Sequence, residues 1–203
     1  MFVQVIQGHV TDPDAIHEAF ESWQHELAPG ADGWLGTTAG VTPEGDLIAL
    51  AKFDSPEAAQ RNSHRPEQHR WWMETSRLFD GDATFTDCEE VDTFLDGGTE
   101  QARFVQVMQG RSSDPHRMLE INHRTEPVLH EHRPEILGGT AAVHGSGDRL
   151  TEVVYFSSEA EAREGERKQP PPELSQMMES EPQLFTDVRY FDLPEPWIYS
   201  PSR

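Results

Sequence analysis

The sequence predicts an α+β fold made of two tandem ferredoxin-like βαββαβ repeats, and three observations predict it. FVQVIQG at residues 2–8 returns as FVQVMQG at 104–110, with six of seven letters the same. Further pairs recur at that offset: Asp12-Pro13 as Asp114-Pro115, Trp34-Leu35-Gly36 as Ile136-Leu137-Gly138, and Gly45-Asp46 as Gly147-Asp148. Phe53, Ser55 and Glu57 likewise match Tyr155, Ser157 and Glu159. Within each copy the local signals run strand, helix, strand, strand, helix, strand, which is the split-βαβ order. Farther along, at Pro66-Glu67 against Pro172-Glu173 and at FTD (85–87 against 185–187), the spacing drifts, as small surface insertions and deletions would cause.

In the first repeat, residues 2–7 form an apolar-rich strand. Asp12 is suited to cap a helix, with Pro13 in the first turn where a missing N–H costs nothing. Ile16, Phe20, Trp23 and Leu27 follow at helical spacing and mark one buried stripe, which Pro29-Gly30 ends. A second strand is expected over 33–41, and the turn Thr42-Pro43-Glu44-Gly45-Asp46 leads into a third over 47–53. Ser55-Pro56-Glu57 starts the second helix. Pro66 interrupts it before it resumes to Phe79. A last strand is expected over 83–94. Residues 1–96 thus make the first repeat, 97–102 a short polar linker, 103–193 the second repeat and 194–203 a Pro-rich C-terminal tail.

The first strand explains why two copies share one chain. Phe2, Gln4 and Ile6 point one way and Val3, Val5 and Gln7 the other, so neither face is simply polar. A ferredoxin-like sheet carries helices on one face only, and its other face needs a cover. A second copy of the sheet would supply it. The two sheets are expected to face each other as a barrel-like sandwich, a pseudo-dimer within one chain whose edge strands leave further homodimerisation open.

The balance of 37 acidic against 16 basic residues gives a net charge of −21, which argues against nucleic acid or an anionic membrane as partner. No stretch approaches the length of a membrane span, and no leader pattern stands at the start. Cys88 is the single cysteine, so no intrachain disulfide forms and a reducing cytoplasm is the expected compartment. Its acidic neighbours Asp87, Glu89 and Glu90 disfavour a thiolate, so its role reads as structural.

The second-helix segment AAQRNSHRPEQHRWW, residues 58–72, has small residues, a His, a short polar break, a second His and an aromatic. With the duplicated βαββαβ order, it resembles the antibiotic biosynthesis monooxygenase-like family of the dimeric α+β barrel superfamily. The resemblance implies an intramolecular dimeric α+β barrel. It also implies an activity among those of that family: cofactor-free oxygenation of polycyclic phenols and quinols, or haem degradation.

Within that segment His64 or His69 is the candidate base. Asn62 is a candidate hydrogen-bond partner for a phenolic oxygen, and Trp71 and Trp72 are candidate stacking surfaces. Trp23 and Gln4 are further candidates for substrate binding; core packing is the competing role for Trp23 and surface exposure the expectation for His25. For Gln4 and Gln106 the expected partners are each other, across the pseudo-twofold. The second repeat has no His in the matching segment and puts Met177-Met178 where Trp71-Trp72 stand, so a site is expected in the first repeat only. His130-Glu131-His132 and His64/His69 are pairs, short of a zinc ligand set, and no metal is expected. No cofactor is expected either. Haem is the lesser alternative, with His64 or His69 as axial ligand and Arg61, Arg65 or Arg70 offsetting the acidity around its propionates. The function expected is cofactor-independent oxygenation of a small aromatic or quinol. The alternatives are a non-catalytic barrel that binds a small apolar molecule or haem, and a structural or interaction protein.

Overall fold

The computed structural model describes residues 1–95, 97–172, 174–175 and 184–201, and Met177-Met178 lie outside them. In the first half the chain forms β1 (Phe2–His9), α1 (Pro13–Glu26), β2 (Trp34–Val41), β3 (Asp46–Phe53), α2 (Pro56–Ser63), α3 (Pro66–Thr75), β4 (Thr84–Cys88) and β5 (Glu90–Phe94). The second half forms β6 (Phe104–Arg111), α4 (Pro115–His132), β7 (Ile136–Val143), β8 (Arg149–Phe156), α5 (Glu159–Glu166), β9 (Thr186–Leu193) and β10 (Trp197–Tyr199). No helix among the described residues is long and apolar enough to cross a membrane.

The helix starts follow from side-chain caps. Asp12 accepts from the Ala15 amide at 3.0 Å and Asp114 from the Arg117 amide at 3.0 Å. Ser55 caps α2 through the Ala58 amide, and Ser158 caps α5 through the Glu161 amide. The counterpart of Ser55 is therefore Ser158 rather than Ser157. The strand register moves the same way: Phe2 pairs with Phe53 and Phe104 with Phe156, so Phe156, not Tyr155, matches Phe53. Pro66 does divide the second helix, and α3 ends at Thr75 with a 3-10 turn over Ser76–Leu78 instead of running to Phe79.

The strands form two five-stranded sheets, ordered β10-β2-β3-β1-β4 and β5-β7-β8-β6-β9. Each holds the four strands of one ferredoxin-like repeat, so the α+β class and the tandem repeats stand as expected. Val3 and Val5 of β1, and Val105 and Val107 of β6, are wholly buried, so the face of each strand that carries them lies out of solvent. The fifth strand of each sheet was hidden in the sequence. The single strand expected over 83–94 is two, broken at Glu89, with β4 in the first sheet and β5 in the second. Residues 194–203 are not a plain tail: β10 lies within them and pairs with β2. The chain accordingly divides into one unit of Met1–Glu90 with Glu195–Arg203 and a second of Val91–Pro194.

Candidate functional site

A cavity lies inside the first unit, with about 80 Å³ open to the centres of water-sized molecules. That is room for several waters or roughly one or two fused aromatic rings. The sheet supplies Gln4 and Ile6 from β1, Trp34 and Thr37 from β2, and Ala51 and Phe53 from β3. Helix α1 adds Phe20 and Trp23 one turn apart, α2 adds Ala59, Asn62 and Ser63, α3 adds Gln68 and Trp71, and β10 adds Tyr199. The rings meet edge-on. Trp23 sits 5.2 Å from Trp34 at 70°, and Phe20 5.8 Å from Trp71 at 82°. Every indole N–H of these three tryptophans is taken: Trp23 donates to Gln68 Oε1 at 2.6 Å, Trp34 to Thr37 Oγ1 at 3.0 Å and Trp71 to the Ala19 carbonyl at 2.9 Å. The tryptophans therefore offer the cavity apolar surface only.

The polar lining is oriented by its outer partners. Arg65 Nη1 donates to Asn62 Oδ1 at 2.9 Å and to the Leu27 carbonyl at 3.0 Å, while its Nε donates to Glu67. A guanidinium only donates, so the buried Asn62 must turn its oxygen to Arg65 and keep its NH₂ for the cavity side. By the same argument Gln68, whose oxygen accepts from Trp23, keeps its NH₂ free. Gln4 donates from Nε2 to Asp87 Oδ1 at 2.8 Å and keeps its oxygen. The break at Pro66 is what folds Arg65 back behind Asn62. The cavity thus holds two fixed amide donors and one fixed acceptor among aromatic walls. Among the described residues Tyr199 is its one titratable lining group. Burial, aided by the charge of Glu21, pushes its phenol well above the ordinary tyrosine range. The Tyr199 hydroxyl is buried and has no partner among the described residues.

Of the residues expected at a site, Asn62, Trp71, Trp23 and Gln4 come together here. His64 and His69 do not: both are exposed and neither lines the cavity. Asn62 faces inward on α2, and His64, two positions on, is turned by roughly 200°. On α3 the inward pair is Gln68 and Trp71, which leaves His69 between them pointing away. Trp72 packs elsewhere, 4.9 Å from Phe85 and 5.8 Å from Phe79. His25 is exposed. Gln4 and Gln106 do not bond each other: Gln106 donates to Asp192 Oδ1 at 2.9 Å, as Gln4 does to Asp87, each on the neighbouring strand. Among the lining residues that the sequence did not single out for a site are Gln68, Trp34, Thr37, Phe20 and Tyr199. Gln68 sits in the quoted segment between the two histidines, and Tyr199 stands in a stretch whose only signal is the aromatic-rich Trp197-Ile198-Tyr199.

No family model and no curated protein matches the chain. Solved structures do. A candidate monooxygenase from Lactobacillus acidophilus NCFM is similar over 98% of this chain and 95% of its own, with 11% identity and a TM-score of 0.75. An anthrone oxidase-like protein matches over 100% and 94% of the two chains, with 10% identity and a TM-score of 0.70. A ferredoxin-fold protein related to antibiotic biosynthesis monooxygenases, from Listeria monocytogenes 4b F2365, covers 100% and 96% at 9% identity, with a TM-score of 0.51. The class defined is therefore an α+β protein of two ferredoxin-like repeats, in the fold of these structures. At these identities the likeness is one of fold.

Proposed function

We propose that the cavity of the first repeat binds a small planar phenol or quinol and that the protein oxygenates it without metal or flavin. The observation that carries this reading is the Asn62 amide, fixed by Arg65 with its N–H groups toward an aromatic-walled space. Likeness of fold to monooxygenase-like proteins, one of them named as anthrone oxidase-like, supports the reaction class. The chemistry balances without a reductant. An electron-rich phenol and O₂ give a quinone and water. One oxygen atom becomes the new carbonyl, the other leaves as water, and the substrate supplies all four electrons.

The chain's part is to hold the ring, keep water out and favour the anion that reacts with O₂. Asn62 and Gln68 donate to the phenolate oxygen, and Gln4 accepts from a second hydroxyl. Among the described residues no histidine or carboxylate lines the cavity, and Tyr199 does not ionise near neutral pH. The site therefore lowers the substrate's own pKa instead of supplying a base. The second reading, a binding protein without turnover, draws on that same lack of a base.

Oxygen uptake with a panel of hydroquinones separates the two. Asn62→Ala should slow uptake about a hundredfold, the usual effect of losing one oriented donor, while His64→Ala and His69→Ala stay close to the parent. The rate should rise with pH along each substrate's own pKa. Ring binding without any uptake would leave the second reading. Uptake that survives Asn62→Ala and fails with either His variant would overturn the assignment.

A further inference from the structure

The cavity in the first repeat takes part of its wall from a strand almost two hundred residues along the chain. β10 is three residues long and pairs with β2 through Trp197–Ala39, Ile198–Thr38 and Tyr199–Thr37. Trp197 stacks on His17 of α1, ring centroids 4.3 Å apart and 6° from parallel, and Gln24 Nε2 donates to the Ser200 carbonyl at 3.2 Å. Gly36 makes the close approach workable. Its φ is +142°, and a Cβ there would lie 2.8 Å from the Tyr199 carbonyl oxygen.

This docking carries the Tyr199 ring into the cavity wall and leaves its hydroxyl buried with no partner among the described residues. Such a group lowers the stability of the free protein, and phenylalanine would pack the same ring without that cost. The indole N–H groups of Trp23, Trp34 and Trp71 are already taken, and the other buried side-chain atom left without a partner among the described residues is Gln24 Oε1, so a molecule in the cavity is a candidate partner for this hydroxyl. We infer that Tyr199 hydrogen-bonds the oxygen of the bound aromatic and that the C-terminal strand thereby selects an oxygenated ring over a bare one. This rests on the reading of the cavity as an aromatic site. It adds a binding group of its own, because Tyr199 keeps its proton and donates it to a carbonyl or phenolate oxygen without taking one.

The test is a titration of the full chain with 2-naphthol and with naphthalene, followed by tryptophan fluorescence, for the parent and Tyr199→Phe. The parent should prefer 2-naphthol by more than tenfold, since Asn62 and Gln68 donate to the same oxygen as Tyr199. Tyr199→Phe should cut that preference about tenfold, the scale of one buried hydrogen bond, bind naphthalene within about twofold of the parent, and melt about 2 °C higher when free. A variant that keeps the parent's full preference overturns the role of Tyr199 and leaves the cavity reading standing. A parent that binds neither probe sinks that reading and this inference with it.

Discussion

Where the first repeat packs Phe20 of α1 into a core cluster with Ala49 of β3, the second sets Asn122 of α4 against Glu152 of β8. The positions correspond. Phe20 and Asn122 each lie eight residues after a capping Asp, and Ala49 and Glu152 pair across their sheets with Ile6 and Met108. An apolar pair in one copy is thus a hydrogen-bonded polar pair in the other, with Asn122 Nδ2 donating to Glu152 Oε1 at 3.0 Å. The same backbone supports opposite interiors provided both members of a pair change together, because a lone buried carboxyl would be costly. A second contrast lies at the sheet edge. In the first repeat Asp87 sits in a surface depression with Glu57, Gln60 and Glu89. In the second, Arg163 occupies the place of Gln60, pairs with Asp192 and lies over the Phe104 ring at 5.1 Å. One copy is open where the other is sealed by an ion pair.

The largest expected effect that sharpens this contrast is at Glu152. Burial raises its carboxyl to about 7, against a partial lowering by Asn122. Between the ordinary value of 4.5 and about 7 the unfolded chain is ionised and the folded one is not. Stability therefore falls as pH rises through that window and stays lowered above it. Glu152→Gln should then gain roughly 3 kcal/mol at pH 8 and almost nothing at pH 4.5, read by urea unfolding. Equal gains at both values would mean that the carboxyl is not buried and neutral in the fold. Next in size, Arg163→Ala should cost about 1 kcal/mol through the lost pair with Asp192 and the lost ring contact. The matched change Gln60→Ala in the first repeat should stay within about 0.5 kcal/mol, and equal costs would erase the asymmetry. The smallest effect is at Cys88, which pairs with Val3 as Leu193 pairs with Val105. Burial, with Asp87 adding to it, pushes its thiol up to about 12, so a thiol reagent at pH 8 should label it only after denaturation. Rapid labelling of the native protein would show that Cys88 is no substitute for a core leucine.

The repeats, the helix starts and most strand positions could be read from the sequence because they rest on local rules: a capping side chain, a proline in the first turn, a stripe of apolar residues. The break at Glu89 and the placement of β5 and β10 could not. A three- to five-residue strand finds its partner by contacts far along the chain, and no periodicity announces them. At the candidate site, the segment 58–72 supplies part of the cavity lining, yet its histidines, the usual bases, are not among the lining residues. Helical rotation decides this, and the facing groups are the amides Asn62 and Gln68 with Trp71. Beyond the aromatic-rich Trp197-Ile198-Tyr199 nothing local marks Tyr199, because its place in the cavity wall comes from a strand pairing made across the whole chain.

That pairing constrains how the protein can be handled. Expressing the first half by itself, or cutting after residue 193, would omit β10 and leave the cavity without the Tyr199 wall. An affinity handle fused directly behind Ser200 would pull on the strand whose backbone carbonyl Gln24 holds. Silence in an assay of such material would report the cloning decision and leave the chemistry of the intact chain unasked.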